Sequence, residues 1–213
     1  MWYSELLSGL LELWNRPNAK SVDWNNHEWI TGIVNHMTGF ANGMSVHEVS
    51  YTTIIGHRFS IKNLEFWAAM EMAVKKTQHR YQPKGFGYVY TTFLNNPERG
   101  SQELRELLAS RLPRTLWKMP LNLIVECFRA TLKAGLMNEH LFDNHFYVLF
   151  WRRNRQFGPH NYSSIIEGMI EYKYKVYPKP DFNPLPTLMR MQASGLRPVI
   201  LRVAPLQFHI YNI

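Results

Sequence analysis

Large apolar residues recur every three or four positions along most of this chain, which is the spacing of one face of a helix. The first two stripes predict a helix that Pro17 ends, and a second helix that begins after Asn25 or Asn26 and ends between Gly39 and Gly43. The apolar positions of these two helices are Leu6, Leu7, Leu10, Leu11 and Trp14, followed by Trp29, Ile30, Ile33, Val34 and Met37. The pattern therefore favours a helical protein.

A five-residue block of one aromatic residue, two hydroxyl residues and two large apolar residues recurs along the chain. It occupies positions 51–55, 90–94 and 162–166, and a weaker copy at 128–132 fills the gap. Successive copies begin 39, 38 and 34 residues apart. A period in this range is typical of arrays of helical hairpins, so the sequence predicts repeated pairs of helices.

Each repeat is predicted to contain a first helix, which carries the block, and a second helix after a short turn. First helices are expected at about 45–57, 85–96, 120–134 and 160–174, and second helices at about 61–79, 101–112 and 138–157. Residue types that cap, end or open helices stand near these boundaries. They are Ser60, Ser101 and Asn138 as N-caps, Gly100 and Gly135 as helix ends, and Pro83, Pro120 and Pro159 at first-helix starts.

The composition changes after residue 174, where four prolines fall within positions 178–186, a spacing that no helix survives. The sequence therefore predicts an all-α fold, a short α-solenoid of helical-hairpin repeats with an extended Pro-rich C-terminal tail. The expected parts are the N-terminal helices in 1–43, which form a degraded leading repeat, the repeat array in 44–175, and the tail in 176–213.

Charge and cysteine content narrow the possible partners. The 213 residues carry a formal net charge of +8 and a sequence pI near 9.6, which suggests an anionic partner such as nucleic acid or simply a basic compartment. Cys127 is the only cysteine, so an internal disulfide is excluded and a reducing or matrix-like compartment fits better than secretion.

No apolar run reaches the roughly 18 residues of a membrane span. Residues 1–14 contain no Arg or Lys, which is typical of neither a signal peptide nor an organellar presequence.

Basic residues cluster where second helices are expected to end. The clusters are Lys75, Lys76, Arg80 and Lys84 with His79, then Arg111, Arg114 and Lys118, then Arg152, Arg153 and Arg155. A basic group repeated once per unit predicts a ridge that could meet RNA phosphates. The simpler interpretation is that each group complements the dipole at the end of its helix.

Residue combinations that carry catalysis are not found. The chain contains no HExxH motif, no zinc spacing of Cys and His, and no phosphate-binding Gly-rich loop. The expectation is a protein that is not an enzyme and has no cofactor, no metal and no small-molecule substrate.

Two copies of the block, at 49–55 and 160–166, resemble the first helix of a pentatricopeptide repeat. The stretch Lys133-Ala134-Gly135 resembles the turn between that family's helices, and Pro83 and Pro159 fit its repeat ends. The resemblance covers roughly residues 44–175. It implies an α-solenoid, RNA as the partner and an organelle, most often the mitochondrion.

In that family two residues together read each base. One is the residue directly after the aromatic residue of a repeat. The other lies five positions before the equivalent residue of the next repeat. The first set corresponds here to Thr52, Thr91, Arg129 and Ser163. The second set corresponds to Phe86, Ile124 and Gly158, where the family has Asp, Asn or Ser. The resemblance thus implies an array that kept the fold and lost half of its base-reading residues. The hydroxyl pairs also have a simpler interpretation, because Thr and Ser in a helix can bond to backbone carbonyls.

These observations lead to one leading hypothesis and one alternative. The leading hypothesis is a non-catalytic, RNA-associated structural subunit of a large mitochondrial assembly, most simply the mitochondrial ribosome, that contacts rRNA backbone and neighbouring proteins. The alternative is a helical-repeat protein-interaction scaffold, or an accessory subunit of a respiratory or ATP-synthase complex. A free RNA-processing factor that reads sequence ranks lower, because it would need intact base-reading positions.

Overall fold

A computed structural model describes residues 2–16, 18, 23–24 and 27–175. Every regular element in these residues is a helix, so the predicted all-α class is confirmed. The helices are α1 Trp2–Trp14, α2 Glu28–Phe40, α3 Val46–Arg58, α4 Leu64–Thr77, α5 Pro83–Asn95, α6 Gln102–Leu116, α7 Leu121–Lys133, α8 Glu139–Leu141, α9 Val148–Arg152 and α10 Pro159–Lys175. A π-helical segment, Phe142–Tyr147, joins α8 to α9, and 3-10 turns occupy Ala41–Gly43, Pro97–Arg99 and Asn154–Gln156.

Some predicted boundaries lie outside the described residues, namely Pro17, the caps Asn25 and Asn26, and the whole tail at 176–213. The helix expected after those caps begins at Glu28, and His27 before it provides no side-chain cap. None of the helices in the described part of the chain is long and apolar enough to cross a membrane.

Side chains expected to start helices do so in two of three places. Ser101 Oγ accepts from the Leu104 backbone N–H at 3.1 Å, and Asn138 Oδ1 accepts from the Leu141 N–H at 2.8 Å. These contacts satisfy backbone donors that have no partner inside the helix. The predicted caps of α6 and α8 are therefore confirmed.

The cap predicted at Ser60 is wrong. Asn63 caps α4 instead, because its Oδ1 accepts from the Phe66 N–H at 3.0 Å. Ser60 has a positive φ of 53° and belongs to the end of α3, where the Ile61 N–H donates to the Gly56 carbonyl at 2.9 Å. This is the Schellman arrangement that glycine usually completes, and Gly135 completes the same arrangement at the end of α7 with a φ of 68°.

Two second helices differ from their predicted form. The helix expected at 101–112 continues to Leu116 through Pro113, because its stripe of Leu104, Leu108, Leu112 and Leu116 is fully buried and packing outweighs the lost backbone bond. The helix expected at 138–157 runs through α8, the π-helical segment and α9, ends at Arg152, and is followed by a 3-10 turn.

The chain forms two compact units that divide between Lys118 and Met119. In the first unit, α3 packs against α1 and α5, and α2 packs against α4. The hairpins α3–α4 and α5–α6 also pack internally. First helices thus contact first helices, and second helices contact second helices.

In the second unit α7 packs against α10. Its core is aromatic, because the ring of Phe128 lies 5.1 Å from those of Phe146 and Phe150 and 6.2 Å from that of Phe142, between centroids. All four side chains are buried. The domain boundaries drawn from the sequence stay a prediction.

Candidate nucleic-acid interface

The positions that the resemblance assigns to base reading fall into two groups. Thr52 and Thr91 are buried, with exposures of 0% and 8%, and the Thr91 hydroxyl donates to the Tyr88 carbonyl at 3.1 Å. Arg129 and Ser163 are partly exposed, and Arg129 Nη1 donates to Glu171 Oε2 at 3.1 Å. The two threonines therefore face the interior of the first unit, while the other two side chains reach the surface of the second.

Neighbouring hydroxyls bond to the backbone of their own helices. Thr53 Oγ1 donates to the Val49 carbonyl at 2.7 Å, and Thr131 Oγ1 donates to the Cys127 carbonyl at 2.6 Å. Both side chains are fully buried. These contacts agree with the simpler interpretation of the repeated hydroxyl pairs, because each hydroxyl donates to a backbone carbonyl on the preceding turn of its own helix.

The second set of base-reading positions is apolar or lacks a side chain. Phe86 and Ile124 are buried in the cores of their units. Gly158 is exposed in the turn before α10.

Two lysines of the first basic cluster serve contacts within the first unit. Lys75 Nζ lies 2.9 Å from Glu71 Oε1 and 2.7 Å from Glu103 Oε2, and so links α4 to α6. Lys76 Nζ donates to the carbonyl of Asn42 at 2.8 Å. Neither lysine is a free cation.

The Glu71 carboxylate strengthens this link between α4 and α6. It accepts from the Ser101 backbone N–H at 2.8 Å and from the Ser101 hydroxyl. Desolvation alone would raise the pKa of Glu71, but the hydrogen bonds from Ser101 and Lys75 outweigh it and hold the pKa below its ordinary value. The hydrogen bonds that Lys75 donates to Glu103 and to Glu71 raise the pKa of Lys75.

A contact between His79 and Arg111 joins the first and second basic clusters. Arg111 Nη1 lies 2.9 Å from His79 Nδ1, which brings the end of α4 against α6. Arg80, Arg114 and Lys118 are exposed and make no ion pair within the described part of the chain. We call these five residues the basic patch. The structure thus unites two sequence clusters on one unit.

The third cluster lies on the second unit. Arg152 and Arg155 are exposed at the end of α9 and in the turn after it. Arg153 is half-buried, with Nε donating to Gln156 Oε1 at 3.0 Å and Nη1 donating to the Met119 carbonyl at 3.4 Å. Arg153 therefore holds the local backbone, and the exposed Arg155 presents its charge to solvent.

Lys84, the last residue of the first cluster, lines a cavity whose walls contain no residue of the basic patch. It lies in the first turn of α5 on the wall of a cavity of about 310 Å³. Sequence reasoning did not find this cavity, because its walls come from three helices distant in sequence. The one local signal was Gly85, where two helices approach closely.

No metal centre is formed in the described residues, where no three His, Cys, Asp or Glu side chains are placed to hold one ion together. Comparison of the chain with protein-family models gave no match, and comparison with curated proteins gave none either. The function is therefore inferred from the chain's own residues.

Proposed function

We propose that this protein is a non-catalytic, RNA-associated structural subunit of a large mitochondrial assembly, the mitochondrial ribosome, where it contacts rRNA backbone and neighbouring proteins. We also propose that its helices form a short α-solenoid. The packing of α1, α3 and α5 in sequence, and of α2 on α4, supports that arrangement. The mitochondrial location rests on the resemblance to pentatricopeptide repeats and on the cysteine content.

The basic patch is the observation that carries the RNA proposal. Arg80, Arg114 and Lys118 are exposed and without ion pairs among the described residues, and the contact between His79 and Arg111 holds their helices together. Phosphate contacts of this kind position a protein on RNA without reading its sequence. The burial of Thr52 and Thr91 agrees with a partner bound by its backbone.

The salt dependence of RNA binding tests this proposal. The full chain should bind structured and single-stranded RNA fragments with a steep loss of affinity as salt rises, and with little preference for sequence. A triple variant with Arg80, Arg114 and Lys118 changed to Gln should reduce the slope of log K against log salt by about one for each phosphate that the variant no longer neutralises.

The control removes the same charge elsewhere. Arg16, Lys62 and Lys133 are exposed cations outside the basic patch, and their triple change to Gln should alter the slope far less. A flat salt response in the unmodified chain would contradict the RNA proposal. Equal losses in both triple variants would mean that net charge, rather than the patch, drives binding.

A second candidate, the protein-interaction scaffold, is favoured by one surface on α4. Leu64 and Met72 are 70% and 60% exposed and stand eight residues apart, with exposed Ala68 between them. Spaced in this way they share one face of the helix, and an exposed apolar face is typical of a protein contact. A photo-cross-linker at position 68, used in isolated organelles, should capture protein if this candidate is right. Capture of RNA at the basic patch favours the first proposal.

A further inference from the structure

The cavity beside Lys84 lies in the first unit, between α1, α3 and the start of α5. Its volume is about 310 Å³, which is at the lower end of the range of about 300–1,000 Å³ for small-molecule sites in proteins. The walls are formed by Leu11, Val46, His47, Ser50, Tyr51, Ile54, Arg58, Gln82, Lys84, Gly85 and Tyr88. Apolar and polar groups both face the space.

Close packing of α3 on α5 forms the floor of the cavity. A Cβ at position 85 would lie 2.9 Å from the Ser50 hydroxyl, so only glycine allows this approach without a shift. Thr52 and Thr53 turn inward on α3, and Tyr51 is therefore left 47% exposed at the rim. The predicted base-reading residue Thr52 is thus buried, and its neighbour Tyr51 is exposed at the cavity.

The lining combines rings with cations, and no carboxylate is among the described residues that form it. Tyr51 and Tyr88 present aromatic rings, and Arg58, Lys84 and His47 present basic groups. None of these five side chains makes a hydrogen bond, an ion pair or a ring contact in the described part of the chain. Ser50 differs, because its hydroxyl donates to the Val46 carbonyl at 3.0 Å.

The aromatic rings and cations that line this cavity indicate which kind of ligand it would bind. Aromatic side chains stack on flat rings, and Arg and Lys bind phosphate through charge-assisted hydrogen bonds. A carboxylate in the wall would repel the phosphate of such a ligand, and the described lining residues include none.

We propose that this cavity binds a molecule that joins a flat ring to a phosphate group, the chemistry of a nucleotide. The ring lies against Tyr51 and Tyr88, and the phosphate lies at Arg58 and Lys84. A free nucleotide and a single nucleotide of an RNA chain share this chemistry. No residue of the basic patch lines this cavity, and the proposal does not depend on the proposed function.

Titration calorimetry of the full chain with AMP tests the proposal. AMP should bind at one site, and inorganic phosphate should bind at least about tenfold more weakly because it lacks the ring. Tyr51→Ala and Lys84→Gln should each weaken AMP binding about tenfold or more. Arg58→Gln provides a third variant at the phosphate end, and circular dichroism checks that each variant is folded.

Arg114→Gln is the matched control, since it removes an exposed cation of the basic patch and should leave AMP affinity unchanged. The proposal is overturned if AMP does not bind, or if phosphate alone binds as tightly as AMP. It is equally overturned if the three cavity variants weaken AMP binding no more than Arg114→Gln does.

Competition with a short single-stranded RNA separates the two sources of the ligand. If the RNA displaces AMP, the cavity holds one nucleotide of an RNA chain. If AMP stays bound in the presence of the RNA, the ligand is a free nucleotide. The triple variant of the basic patch should keep its AMP affinity in either case, so failure of this site and failure of the proposed RNA function are distinguishable.

Discussion

Individual threonines illustrate how residue chemistry supports this fold. Thr53, Thr77 and Thr131 are buried, and each donates to the carbonyl four residues earlier at 2.6–2.7 Å. A buried hydroxyl without a partner would cost on the order of 1–3 kcal/mol, and the preceding turn supplies that partner. The helix's own preceding turn therefore supplies an acceptor for a hydroxyl that is buried in a helix interface.

Gly168 on α10 allows the close approach of α7. A Cβ there would overlap the ring of Phe128, which cannot move away because Phe142, Phe146 and Phe150 surround it. We expect Gly168→Ala to lower the free energy of unfolding by about 1–3 kcal/mol, measured by urea denaturation. Gly32→Ala is the control, because its Cβ meets nothing within 4 Å and should stabilise α2 by up to about 1 kcal/mol. A neutral Gly168→Ala would contradict this packing.

His57 makes stability depend on pH. Desolvation, followed by the charges of Arg99 and Arg58, lowers its pKa, and its Nδ1 lies 2.8 Å from Arg99 Nη1. The unfolded chain therefore takes up a proton at a higher pH than the folded chain does. The stability from this group is complete above the unfolded pKa of about 6.5 and is lost as pH falls through the folded pKa.

Replacement of His57 by Gln should remove this part of the pH dependence, because the amide accepts from Arg99 and does not titrate. We expect the unmodified chain to lose more unfolding free energy than His57→Gln when the pH is lowered from about 7 to about 5. Urea denaturation at both pH values measures the difference. His145, whose pKa is also lowered by desolvation and by His140, contributes equally to both proteins. Equal losses would show that His57 does not contribute.

At the scale of elements, a residue in a turn between two helices can complete the end of the first helix or cap the start of the second. The segment between α3 and α4 contains both Ser60 and Asn63, and either could cap a helix by residue type. Ser60 completes the end of α3 with a left-handed backbone, so Asn63 is left to start α4.

Substitutions at these two positions test that assignment. Asn63→Ala should lower the free energy of unfolding by about 1 kcal/mol, because the Phe66 N–H loses its acceptor. Ser60→Ala should be close to neutral, since alanine and serine meet the same backbone strain and the Ser60 side chain caps nothing. Thermal and urea denaturation measure both changes. If Ser60→Ala lowered the free energy of unfolding more than Asn63→Ala does, the result would support the cap that the sequence predicted at Ser60.

At the scale of the whole molecule, the cations that contribute to the net charge of +8 differ in how they are used. Lys75, Lys76 and Arg153 are used in internal contacts, whereas Arg80, Arg114 and Lys118 of the basic patch are exposed to solvent. The salt dependence proposed for RNA binding belongs to this scale, because counterion release counts the cations that meet phosphate and not those already paired.

The sequence by itself determined the helical class and most helix positions. The 3.6-residue periodicity placed α3, α5, α7 and α10 within two residues of their observed ends. The caps at Ser101 and Asn138 placed the starts of α6 and α8. Both signals are local properties of the chain. The solenoid arrangement, the domain boundaries and the RNA partner stay predictions.

The tertiary structure decided which side chains remain exposed and able to contact a partner. The sequence placed Lys75, Lys76 and Arg80 in one cluster, but Glu103 from α6 and the carbonyl of Asn42 take up the two lysines. It also marked Thr52 rather than Tyr51, although the threonine is buried and the tyrosine lies exposed at a cavity. Burial and pairing depend on residues distant in sequence, and a local pattern contains no information about them until the chain is packed.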